Sequence, residues 1–146
     1  MDANCPECGA AWQGSKACEE AFYQMGYWEM DNRLLEVHHL MVLCYYLQHP
    51  SLYSPEGLRE AQRLLVGFVE GGKTPQEVVR REHDRLAAGA RGFKIKGTPG
   101  SHGAYDRPVR WTMTVVDVVA RGEAAYYASV REWACSVLAA LKEAGA

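Results

Sequence analysis

The stretch DNRLLEVHHLMVLCYYLQHP, from Asp31 to Pro50, carries apolar residues at helical spacing. Leu34, Leu35, His38, Met41, Val42, Tyr45 and His49 share one face, and Pro50, which cannot continue a helix, ends it. Asp31 or Asn32 can cap its start, because a short side-chain oxygen accepts from the unpaired amides of a first turn. Val37, Leu40, Cys44 and Leu47 are apolar on the remaining faces. A helix apolar all round belongs at the centre of a bundle. The spacing predicts one helix over 31–49 in the middle of an all-α fold.

Helical signals extend in both directions. Upstream, Cys18 to Met30 reads as helix with Glu19 and Glu20 in its first turn, although Gly26 weakens it. Downstream, Ser54-Pro55 is a cap followed by proline at the first helical position. The stripe Leu58, Ala61, Leu64, Leu65 and Phe68 follows, and Gly71-Gly72 stops that helix. Thr74-Pro75-Gln76-Glu77 is a capping box that opens a fourth helix to about Ala88. A short helix from Thr114 to Arg121 and a long one from Glu123 to Lys142 complete the set. The long one has the core stripe Tyr126, Val130, Trp133, Val137 and Leu141. The chain of 146 residues is read as one domain, 1–146, a helical bundle with one long irregular basic loop over 89–112. Within that loop Phe93-Lys94-Ile95-Lys96 alternates, as a short extended clip does.

Residues 1–18 are of a different kind. Cys5-Pro6-Glu7-Cys8-Gly9 places two thiols three positions apart before a glycine, the loop of a zinc knuckle. Zinc takes four ligands, and Cys18, ten positions after Cys8 at a helix start, offers a third thiolate. His38 is the expected fourth, since a histidine on a nearly all-apolar helix needs a partner to offset its desolvation. His49 lies eleven positions on, on the same face but roughly 16 Å along the axis, so one ion cannot meet both. The ligand set read from the sequence is therefore Cys5, Cys8, Cys18 and His38. A redox dithiol is the rival, but such motifs follow a strand in a βαβ unit, and none precedes residue 5. Cys44 and Cys135 read as core residues.

Charge and the termini narrow the class. The net charge is −2, which argues against a whole-protein field for nucleic acid or anionic lipid. Residues Arg91 to Arg110 nonetheless hold five bases and one acid. Phe93, Tyr105 and Trp111 among Lys94, Lys96, Arg107 and Arg110 could stack on bases. The competing reading is that the loop packs its aromatics onto the bundle. The longest apolar run, Leu40 to Leu47, is eight residues, short of the ~17 a membrane span needs. With no basic or apolar leader in Met1 to Cys5, a cytoplasmic protein with reduced thiols is expected, not bound to a membrane.

Candidate catalytic groups are sparse. Gln48, His49, His102, Tyr105, Asp106, Asp117 and Arg131 could converge, yet Gln48 and His49 read best as the helix end before Pro50. Asp117 reads as the capping partner of Thr114. Phosphate-loop, nucleophile-elbow and HExxH patterns are missing, and Gly67 to Thr74 fails as a phosphate loop because Gly67 falls inside a helix. Two functions follow. The first is a zinc-stabilised helical binding module with a protein or small-molecule partner, nucleic acid being the less favoured one, and with homodimerisation open. The second is a small hydrolase-like metal enzyme using His38, His49 and Gln48 around a helical cavity.

Cys5-Pro6-x-Cys8-Gly9, Cys18, His38-x-Leu40-x-Val42 and Gln48-His49-Pro50 occur together with Trp111-Thr112-x-Thr114-Val115-x-Asp117-Val118 and Val130-Arg131-x-Trp133-Ala134. This arrangement resembles a mostly bacterial family of domains of unknown function, over nearly the whole chain. The resemblance implies a mostly helical fold and assigns no activity.

Overall fold

The computed structural model describes residues 3–12, 17–32, 37–72 and 95–146. The fold is all-α. Two two-residue strands, β1 (Ala3–Asn4) and β2 (Ala11–Trp12), pair antiparallel in the register Ala3 with Trp12 and Asn4 with Ala11, and frame the knuckle. The helices are α1 (Ala17–Asn32), α2 (His38–Gln48), α3 (Pro55–Val69), α4 (Val115–Ala120) and α5 (Tyr126–Ala144). Short 3-10 turns lie at Pro50–Leu52 and Glu123–Ala125. The helix expected over 74–88 lies outside the described residues. Among those described, no helix is long and apolar enough to cross a membrane.

The expected central helix is central. α2 packs on α1, α3 and α5, and buries Leu40, Met41, Leu43, Cys44, Tyr45, Leu47 and Gln48 over more than half its circumference, with His39 exposed on the remaining side. Its start differs from the reading. Asp31 and Asn32 end α1 instead of capping α2, which begins at His38 after Val37 with no side-chain cap. The apolar period runs unbroken across this boundary, so periodicity alone cannot reveal it. The stripe of α5 is buried as read: Tyr126, Val130, Trp133, Val137 and Leu141. Cys135 corrects the expectation of a core residue, since it is exposed. Two helical steps from Trp133 turn it about 200° away from the core face.

Local signals set the other ends. Ser54 accepts from the Gly57 amide at 2.9 Å with Pro55 at the first helical position of α3. Thr114 and Asp117 form the complete capping box of α4. The loop after residue 94 is strapped to the turn that follows α2. Ser54 N–H donates to Ile95 O (2.7 Å), Gly97 N–H to Leu52 O (3.0 Å) and Gly103 N–H to Tyr53 O (2.7 Å). The expected clip is thus observed at Ile95 and Lys96, while Phe93 and Lys94 lie outside the described residues. Tyr105 and Trp111 stack edge to face at 6.0 Å, half-buried against the bundle, and the Tyr105 hydroxyl donates to Leu47 O at 2.6 Å. Tyr105 and Trp111 thus pack inward, while Lys96, Arg107 and Arg110 are exposed.

Candidate metal centre

The knuckle is a tight turn closed by its own backbone. Cys5 N–H donates to Ala10 O (2.8 Å) and Gly9 N–H to Cys5 O (2.9 Å). Gly9 takes φ +79°, a left-handed conformation that glycine adopts without a Cβ penalty. The turn brings the Cys8 amide to 3.5 Å from the Cys5 sulfur. Cys18, the second residue of α1, faces the same spot, with its sulfur 3.6 Å from that of Cys8. Sulfurs on a zinc tetrahedron with bonds of about 2.3 Å stand about 3.8 Å apart, so this spacing suits a shared ion.

The fourth member is His49. Ligand atoms of Cys5, Cys8, Cys18 and His49 all lie within 4.8 Å of one another, and all four residues are buried. His49 terminates α2, where its amide donates to Tyr46 O at 3.0 Å. Its ring packs on Tyr45 at 4.3 Å between centroids, and Nδ1–H donates to Tyr45 O at 2.7 Å. In the neutral imidazole that hydrogen bond places the proton on Nδ1, so Nε2 is the nitrogen that offers a lone pair. Nε2 is buried and is the side-chain polar atom left with no hydrogen-bond partner among the described residues. A lone pair so placed loses its hydration without compensation unless something electrophilic meets it. The Cys8 thiol is held far above its ordinary range, first by its hydrogen bond with Cys18 and then by burial. A cation among the sulfurs inverts that preference by favouring thiolates.

His38, expected to be the fourth ligand, is placed elsewhere. It is the first residue of α2 while His49 is at the far end. Its Nδ1–H donates to Glu29 Oε1 at 2.7 Å. Glu29, on α1, is 1% exposed and also accepts from the Tyr126 hydroxyl. The premise that His38 needs a partner holds, and the partner is a carboxylate. His39 is exposed. Gln48 is fully buried and satisfied at both ends, donating to Met113 O (2.7 Å) and accepting from Trp133 Nε1–H (3.2 Å). His102 is exposed with its Nδ1 on Gly103 O, and Asp117 is committed to the cap of α4.

Beside the centre lies a groove of about 540 Å³, between Cys5–Ala11 of the knuckle and a wall of Val109, Trp111, Thr112, Thr114, Val116 and Asp117. A second groove, of about 530 Å³, runs between Arg59 and Gln62 of α3 and the Gly103–Arg107 segment. Neither is lined by His38 or His49.

These features define an all-α domain with a buried three-cysteine, one-histidine cluster of metal-binding geometry. The chain belongs to the family of unknown function DUF5946, the match covering residues 3–142 and so the entire cluster. Neither a curated protein nor a solved structure matches it.

Proposed function

We propose that Cys5, Cys8, Cys18 and His49 bind one zinc ion as a structural centre, and that the domain is a zinc-stabilised interaction module. The observation that carries this reading is the His49 Nε2 lone pair, buried, unpartnered and within 4.8 Å of three cysteine sulfurs. Three soft thiolates and an imidazole suit zinc in a tetrahedron and leave no position for a water. Three thiolates also neutralise the ion, which weakens it as a Lewis acid, so the chemistry favours structure over hydrolysis. A protein partner would meet the face beside the centre, where Val109, Trp111 and Val116 line the groove at the knuckle.

Elemental mass spectrometry of protein purified without chelator tests the centre. One zinc per chain is expected in the wild type and in His38→Ala, with loss in Cys8→Ser and His49→Ala. Zinc retained by His49→Ala but lost from His38→Ala would overturn the assignment. Metal-free, folded wild type would overturn the centre itself.

A further inference from the structure

Glu7 lies with Pro6 between the two cysteines of the Cys5–Cys8 turn. Its Oε1 accepts from the Ser51 amide and its Oε2 from the Ser51 hydroxyl, each at 3.0 Å. Ser51 stands two residues beyond His49, on the Pro50–Leu52 turn. The contact joins segments forty-four residues apart, at points one or two positions from a candidate ligand on either side. Among the described residues no cation pairs with Glu7. A centre of three thiolates and one dication carries a net −1, so a neighbouring carboxylate is repelled by it. Charge attraction to the centre therefore does not account for Glu7, whereas the two-point hydrogen bond does.

The two segments are anchored unequally. The end of α2 and its following turn are held by Gln48 on Met113 and Trp133, by Tyr105 on Leu47, and by the strap from Ile95 to Gly103. The knuckle has its own turn and a two-residue ladder, both internal to residues 3–12. Among the described residues, Glu7 ties that unit to the anchored end of α2 by side-chain hydrogen bonds.

We propose that Glu7 is a positioning residue for the metal centre: its double hydrogen bond to Ser51 holds the Cys5–Cys8 turn where one ion can reach Cys5, Cys8, Cys18 and His49 together. This rests on the zinc reading above. Partners hydrogen-bonded directly to metal ligands cost about 10–100-fold in metal affinity when removed, and that range sets the scale for a contact that positions the ligand-bearing turn.

The test is the rate of zinc transfer from loaded protein to a colorimetric chelator, with stoichiometry and thermal melting measured alongside. Glu7→Ala is expected to release zinc about 10–100-fold faster at unchanged stoichiometry. Ser51→Ala falls between, and the double variant is no faster than Glu7→Ala, because both remove one contact. Glu7→Gln recovers most of the loss, since its carbonyl still accepts from the Ser51 amide. Wild-type release from Glu7→Ala would overturn the proposal. So would equal release from Glu7→Gln and Glu7→Ala, which would show that the charge acts and not the contact. If Glu7→Ala does not fold, Ser51→Ala carries the same comparison. Wild type without zinc would defeat the centre itself; zinc lost in Cys8→Ser but held normally by Glu7→Ala would defeat the positioning role alone.

Discussion

Glu29 is 1% exposed and accepts hydrogen bonds from His38 and Tyr126, so three helices, α1, α2 and α5, meet at one carboxylate. That hydrogen bond raises the His38 pKa, outweighing the burial that lowers it. The folded-state value lies above the ordinary value of 6.5. The pair's contribution to stability is therefore complete below about pH 6.5 and is lost as pH rises through the folded value. Because 44% of the His38 side chain is exposed, solvent screening limits this contribution to a few tenths of a kcal/mol. An NMR titration should give a His38 pKa above 6.5 in the wild type and a fall back towards it in Glu29→Gln; identical curves would refute the coupling. Glu29→Ala should cost more, about 3 kcal/mol, because it leaves the buried Tyr126 hydroxyl without a partner. The sequence shows that a histidine at position 38 needs company. It does not show Glu29, nine residues earlier, because the two residues stand on separate helices, α1 and α2. Nor does it show which of two histidines on one helical face meets the cysteines, since that depends on which end of α2 the knuckle approaches.

At the scale of elements, the legible features are those decided within a few residues. Ser54-Pro55 and Thr114 with Asp117 cap α3 and α4 as their chemistry requires, and the stripe of α5 is buried throughout. The division of 31–49 was not legible, because the apolar period of the sequence continues from the end of α1 at Asn32 to the start of α2 at His38. Gly26 is the converse case, a residue that lowers helix propensity yet lies inside α1. A Cβ there would meet no atom within 4 Å, so packing does not require the glycine. Gly26→Ala should stabilise the domain by about 0.5–1 kcal/mol through the helix propensity it restores and the unfolded-state freedom it removes. The melting temperature should rise by about 1–4 °C. At Gly97 the balance is reversed. A Cβ would lie 2.5 Å from Tyr53 O and 2.6 Å from Ser51 O, both backbone atoms that cannot rotate aside. Gly97→Ala should therefore displace the strap behind Ser51 and cost about 1–3 kcal/mol. Equal melting temperatures for the two variants would contradict this packing of the loop.

Across the whole molecule, the cluster joins the N-terminal knuckle, the first turn of α1 and the C-cap residue of α2. The rest of the core, around Trp133, Tyr126, Leu47 and Leu65, is assembled by α2, α3 and α5, with Met25 of α1 and Val115 and Val118 of α4 buried against them. An ion bound only by the folded arrangement stabilises it by mass action, about 2.7 kcal/mol at a free concentration one hundred times its dissociation constant. For a domain of 146 residues that corresponds to roughly 5–10 °C in melting temperature. On the zinc proposal, a strong chelator should lower the midpoint by at least that amount, and restoring equimolar zinc should recover it. The loss should also be spatially graded. The backbone bonds of the knuckle close on themselves within residues 3–12, while those of α5 run through a nineteen-residue helix with one face buried in the core. Hydrogen exchange after chelation should therefore speed up first at the Cys5 and Gly9 amides and at the start of α1, with the centre of α5 last. A chelated protein with an unchanged midpoint and protected Cys5 and Gly9 amides would mean that these thiols stabilise the fold without an ion, as small buried side chains.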